Sequence, residues 1–126
     1  MRSAMALALS VSLGGCVGPL VDTVQMSKIP PEEAQAALAV KLYMQSASQP
    51  ENVEKYLGSV EAYSCKNKVW DKPVSTGDAL AQLRLKTLRM GGNAVIGVTT
   101  DTRGTDTLGT NCWESVQASG TAVVIP

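Results

Sequence analysis

Apolar and polar positions alternate in short blocks along most of this chain. In A-V-K-L-Y-M, residues 39–44, Val40, Leu42 and Met44 alternate with Lys41 and Tyr43, the two-residue period of a strand. Residues 45–54 are polar and contain Pro50, which predicts a loop. Y-L-G-S-V-E-A-Y-S-C, residues 56–65, places Leu57, Val60, Ala62 and Tyr63 so as to predict a second strand. Gly58 inside it marks a bulge or a close backbone approach.

The period changes after the loop of residues 66–76, which carries Trp70 and Pro73. Thr76, Ala79, Leu80, Leu83, Thr87 and Met90 fall on one side at 3.6 residues per turn, with Arg84 and Arg89 away from it. This predicts a helix from Ser75 or Thr76 to about Met90. Either hydroxyl can cap it, and Asp78 suits its first turn. Lys86 and Arg89 suit its last turn, and Gly91 or Gly92 ends it in a left-handed conformation. N-A-V-I-G-V-T-T, residues 93–100, is a short apolar run that predicts a well-buried strand. A Gly/Thr/Asp-rich loop over residues 101–111 follows, then one long strand over residues 112–125, bent at Gly120. The fold class predicted is α+β: a small sheet of about four strands, in the order β-β-α-β-β, with one helix packed on a face.

The first 37 residues follow a different pattern. Ala4 to Leu13 is an apolar run broken only by Ser10 and Ser12, after a single basic residue, Arg2. A run of about ten residues is too short to cross a bilayer of roughly 30 Å as a helix and has the length of a signal-peptide core. Leu13-Gly14-Gly15-Cys16 looks like a bacterial lipobox, in which cleavage precedes a cysteine that then carries acyl chains. Two or more acyl chains hold a protein stably at a membrane surface without spanning it. The division expected is a signal peptide over residues 1–15, a lipidated N-terminus and tether over residues 16–37, and an α+β domain over residues 38–126. Within the tether, Pro31-Glu32-Glu33 can start a helix running to Leu38. An unstructured spacer is the equal alternative.

Composition narrows the chemistry. The chain of 126 residues is formally neutral, which gives no sign of a nucleic-acid partner. Lys66, Lys68 and Lys72 form a loose cluster read as a solvated loop. There is no histidine, so a Ser–His or Cys–His nucleophile pair is impossible within one chain, and a zinc site lacks donors. No catalytic residue, cofactor, metal site or small-molecule substrate is expected. Asp101, Asp106 and Glu114 can be drawn as a cation cluster, but their Thr/Gly context reads as solvated loop. Three cysteines is an odd number for an exported protein. With Cys16 acylated, Cys65 and Cys112 remain, and in an oxidising compartment they are expected to pair. Two Trp, three Tyr and no Phe make a thin core, which needs such a staple. The same scarcity favours Trp70 and Trp113 as core residues over exposed contact points.

Taken together, V-K-L-Y-M, L-G-S-V-E-A-Y-S-C, the basic helix ending G-G-N-A-V-I and the C-W strand resemble the RcsF family. That family comprises the outer-membrane lipoprotein sensors of the Rcs envelope-stress pathway in enteric bacteria. The resemblance covers roughly residues 40–125 and the lipobox. The same core resembles the small YbjQ-type domains, which form rings and have been called heavy-metal binding. The RcsF resemblance places the family's long-range disulfide on Cys65 and Cys112. A second family bridge falls near Thr100 and Ala118, neither of which is cysteine here. Val17 after the cysteine, where inner-membrane lipoproteins often carry Asp, favours the outer membrane with the domain facing the periplasm. The partners implied are the outer membrane through Cys16, outer-membrane barrel proteins and an inner-membrane Rcs regulator. The function expected is a lipid-anchored, non-enzymatic stress sensor and signal relay. The alternative is a YbjQ-like oligomeric or barrel-associated lipoprotein with a structural role. A thiol oxidoreductase is disfavoured, because Cys65 and Cys112 are far apart in sequence and fall on strands.

Overall fold

A computed structural model describes residues 18–106 and 108–126. The signal peptide expected over residues 1–15 and the lipidation site Cys16 lie outside the described residues. A single 3-10 turn, Met26–Lys28, is followed by α1 (Pro31–Leu38), β1 (Lys41–Met44), β2 (Lys55–Lys66), α2 (Thr76–Arg89), β3 (Ala94–Arg103) and β4 (Glu114–Val124). The strands form one mixed sheet in the order β1-β3-β4-β2. β1 runs parallel to β3, and β4 runs antiparallel to both β3 and β2. This is the α+β arrangement that the apolar periods predict. β4, the last strand in the chain, fills the gap between two strands already joined through α2, the split βαβ arrangement.

Local chemistry sets the element ends. Ser75 caps α2, its Oγ accepting from the Asp78 amide at 3.0 Å. The Ser75 amide in turn donates to Ser64 Oγ on β2, which ties the start of the helix to the sheet. At the other end, the Gly91 amide bonds Leu88 O and the Gly92 amide bonds Thr87 O, both at 2.9 Å. This pair of bonds is a Schellman motif, and it requires the positive φ of 88° that Gly91 adopts. Gly58, with φ 127°, sits at the register shift between Tyr56 and Gly58 in β2, so of the bulge and the close backbone approach read from the sequence, the bulge is present.

The core lies between α2 and one face of the sheet. Val60 and Ala62 of β2, Val95 and Val98 of β3, and Val116, Ala118 and Ala122 of β4 meet Ala79 and Leu83 of the helix. A smaller apolar group, Ala94, Val123 and Ile125, is covered by Tyr43 and Val53. Of the expected helix stripe, Ala79, Leu83 and Thr87 are buried, while Met90 is exposed because the chain turns away at Gly91. Gln82 and Leu85 are also buried, although Leu85 lies on the opposite side of the helix from Leu83. The segment before β1 accounts for this. Residues 18–37, the described part of the expected tether, lie against the domain. The Val24 amide donates to Gln82 Oε1 at 2.9 Å, Lys86 Nζ donates to Asp22 O at 3.2 Å, and Arg89 Nε pairs with Glu33 Oε1 at 2.7 Å. α1 forms from Pro31, with Pro in the first turn and Glu32 and Glu33 behind it, and it buries Ala37.

Candidate functional site

Cys65 is the second-last residue of β2 and Cys112 precedes β4, so the antiparallel pairing of those strands brings two residues 47 apart in sequence to the same place. They form a disulfide with a Cα separation of 5.5 Å. Hydrogen bonds continue the ladder past the strands. The Trp113 amide donates to Lys66 O at 2.7 Å, and Asn67 Nδ2 donates to Asn111 O. Asp106 and Cys112 exchange backbone bonds, and Asp106 Oδ1 accepts from the Gly109 amide, which closes the turn between them. The N-terminal segment joins the same end. The Leu20 amide donates to Thr110 O at 2.8 Å, and Asn111 Nδ2 donates to Gly18 O at 3.1 Å.

The 66–72 loop is shaped by Asp71. Its Oδ2 accepts from the amides of Asn67 and Lys68, each at 2.9 Å, and these two bonds hold its carboxyl below the usual carboxylate range. Lys68 Nζ lies 5.5 Å from the centre of the Trp70 ring. The expectation that Trp70 and Trp113 pack in the core is corrected. Trp70 is 79% exposed and Trp113 45%. The space between α2 and the sheet is filled by Val, Ala and Leu side chains, and both indoles stand outside it on loops.

The middle of the sheet face away from α2 is polar, with the buried Tyr63 beside it and the covered Ala94 and Val123 at one end. Glu61 pairs with Ser119, Tyr63 with Gln117 and Ser59 with Thr121, while Thr99 and Asp101 of β3 flank the same β4 residues. Directly opposed residues share a face. Gln117 Nε2 donates to Glu61 Oε2 at 3.1 Å, and the Thr99 and Ser119 hydroxyls are 3.1 Å apart. Burial, reinforced by the Glu61 carboxylate, raises the Tyr63 phenol above its ordinary value. A shallow depression on this side of the sheet is lined by Glu61, Ser119 and Thr121.

The structure does not gather the other candidates into one site. Asp101 pairs with Arg103 at 3.4 Å, Asp106 serves the turn at Gly109, and Glu114 is exposed. Among the described residues, no group of three or more His, Cys, Asp or Glu side chains can hold a metal ion. Soft metals prefer thiolate and imidazole donors. Cys65 and Cys112 are bonded to each other, and the chain has no histidine. Among the described residues, no helix is long and apolar enough to cross a membrane. Sequence reasoning missed Gln82, which holds the N-terminal segment and also donates to Asp78 Oδ2 at 3.0 Å. Gln82 sits at the middle of α2 and off the apolar stripe, so the sequence carried no periodic signal for it.

Residues 58–126 match the YbjQ_1 family, whose description reads "Putative heavy-metal-binding". The matched stretch is more than half of the chain, so the chain belongs to that family. It begins inside β2 and therefore takes in α2, β3, β4 and both bridging cysteines. The chain is also similar to a crystallised protein of unknown function from Pediococcus pentosaceus, assigned to the DUF74 family. The two are 17% identical with a TM-score of 0.48, over 69% of this chain and 98% of the other. No curated protein matches the chain.

Proposed function

We propose that this chain, a member of the YbjQ_1 family, is a lipid-anchored envelope protein that senses and relays envelope stress through protein contacts. The reading takes the RcsF sensors as its nearest functional type. The observation that carries it is the Cys65–Cys112 disulfide, because such bonds persist in oxidising compartments and are rare in the cytosol of mesophiles. Set beside Leu13-Gly14-Gly15-Cys16 after an apolar run, the bridge supports export and acylation. The register adds support of a different kind. Thr100 and Ala118, where the second family bridge falls by resemblance, are cross-strand partners here.

The reading places the domain on the periplasmic side of the outer membrane, with Cys16 as anchor. Its partners are outer-membrane barrel proteins and an inner-membrane regulator of the Rcs type. The polar middle of the β2, β4 and β3 face is the contact surface, since the paired side chains of Glu61 and Gln117 and of Thr99 and Ser119 reach the surface there. The reading includes no catalytic step. The heavy-metal description of the family does not fit the donor set of this chain, whose two domain thiols are consumed by the bridge.

The test is a transcriptional response to a cationic envelope-damaging peptide in cells lacking the protein. The intact chain is expected to restore the response. Cys16→Ala is expected to fail through mislocalisation. Glu61→Lys with Gln117→Glu is expected to fail while the protein stays oxidised and membrane-bound. A null strain with an unaltered response contradicts the proposal. Sedimentation of the detergent-solubilised protein tests the structural alternative, and a stable ring-sized oligomer would favour it.

A further inference from the structure

Among the described residues, five of the eight large exposed apolar side chains lie on segments at the disulfide end. Trp70, Val69 and Leu108 are 79%, 71% and 94% exposed, and Leu20 and Trp113 are 56% and 45% exposed. They sit on segments that the bonds around Cys65–Cys112 hold together: residues 18–20, residues 66–72, and residues 105–106 with 108–113. Exposed apolar side chains concentrated at one end of a small domain point to an interaction site rather than ordinary surface. The 66–72 loop also carries Lys66, Lys68 and Lys72 against one acid, Asp71, within a chain that is neutral overall.

The place where the described chain begins says what covers this patch. Gly18 O is bonded to Asn111 Nδ2, so the chain enters the domain beside the Trp113 loop. Two residues of fully extended chain reach at most about 7 Å. On the anchor reading, the acyl attachment is two residues from Gly18 and so within about 7 Å of the segment bonded to the loop that precedes Trp113. Tryptophan rings favour the boundary between headgroups and acyl chains, and lysine stems lie along apolar surface with the ammonium in the polar layer. Basic side chains near a bilayer surface also gain from anionic headgroups.

We propose that the disulfide end is a membrane-docking surface: Trp70, Trp113, Leu108 and Leu20 seat in the phospholipid interface next to the acylated Cys16. The Cys65–Cys112 bond keeps the docking loops together. The sheet's polar face, which extends away from this end, is then held out from the bilayer for a partner. The inference rests on the lipid-anchor reading of Cys16.

The chain's two tryptophans are both in the patch, so its own fluorescence reports the docking. The full chain, expressed with its own leader, is purified from membranes, weighed intact and reconstituted into phosphatidylglycerol/phosphatidylcholine vesicles with brominated acyl chains. Trp70→Phe and Trp113→Phe leave one indole each. Both remaining indoles are expected to lose most of their emission relative to unbrominated vesicles and to be shielded from aqueous iodide. An acylated protein that floats with the vesicles but keeps full emission, open to iodide, overturns the docking and leaves the anchor intact. Emission shielded from iodide yet unquenched by bromine overturns it in favour of a protein cover, such as a second copy. An unacylated mass overturns the anchor and the docking together.

Discussion

At one end of the sheet, Asn93 ties β3 to the C-terminal residues. Its Nδ2 donates to Ile125 O and its Oδ1 accepts from the Ile125 amide, both at 2.8 Å, above the buried Ala94, Val123 and Ile125. At the other end, the covalent bond between Cys65 and Cys112 does the closing, and the large apolar side chains beside it face outward. The first end is a continuation of the core, held by side-chain mimicry of a strand ladder. The second is a set of loops with little apolar interior, which stay assembled because a covalent bond replaces packing. A staple of that kind frees Trp70, Trp113 and Leu108 from supporting the fold, so they remain available for a surface role.

The largest effect should come from cutting the staple. In the chain-entropy account, closing a loop of this separation, 47 residues, contributes about 4 kcal/mol. Each kcal/mol shifts the melting point of a small domain by about 4–8 °C. Reduction, or the Cys65→Ala/Cys112→Ala pair, should therefore lower Tm by about 15–30 °C in a calorimetric scan. A fall below about 5 °C would show that packing alone holds the disulfide end. Next in size is Leu83→Ala, which empties a fully buried position between α2 and the sheet. It should cost about 3 kcal/mol by denaturant unfolding. The loss should be much the same in oxidised and reduced protein, since distant sites add.

A smaller change tests the opposite end. Asn93→Ala removes both bonds to Ile125 and should cost about 1–2 kcal/mol while leaving thiol labelling of Cys65 and Cys112 unchanged. Labelling that rises without reductant would mean the two ends are not independent. The smallest effect is acidic. The Asn67 and Lys68 amides lower the folded pKa of Asp71 below its unfolded value, so they contribute stability at neutral pH that is lost as pH falls through the folded pKa. Trp70 emission should shift on acidification below the ordinary carboxylate range, and Asp71→Asn should abolish that step. A step that survives Asp71→Asn assigns it to another carboxylate.

Most of the frame could be read along the chain, because it rests on local period and end chemistry. Val60, Leu83, the Ser75 cap, Gly91 and the Gly58 bulge each carry their own signal. β3 runs on to Arg103 rather than stopping at Thr100, because pairing with Val116 and Ser115 of β4 outweighs the turn-forming composition there. The docking of residues 18–30 gave no periodic signal, since it depends on backbone groups meeting Gln82, Lys86 and Thr110. Exposure of the two indoles was illegible for a related reason. Scarcity of aromatics argues for burial only when the core has room for them, and valines and alanines fill this one.

The central claim is an acylated anchor joined to an oxidised domain. Intact mass of the protein extracted from membranes, with thiol alkylation before and after reduction, tests it most directly. The account predicts a chain beginning at Cys16 that carries diacyl or triacyl mass, with two thiols labelled only after reduction. An unacylated chain in which Cys65 and Cys112 label without reductant would contradict it.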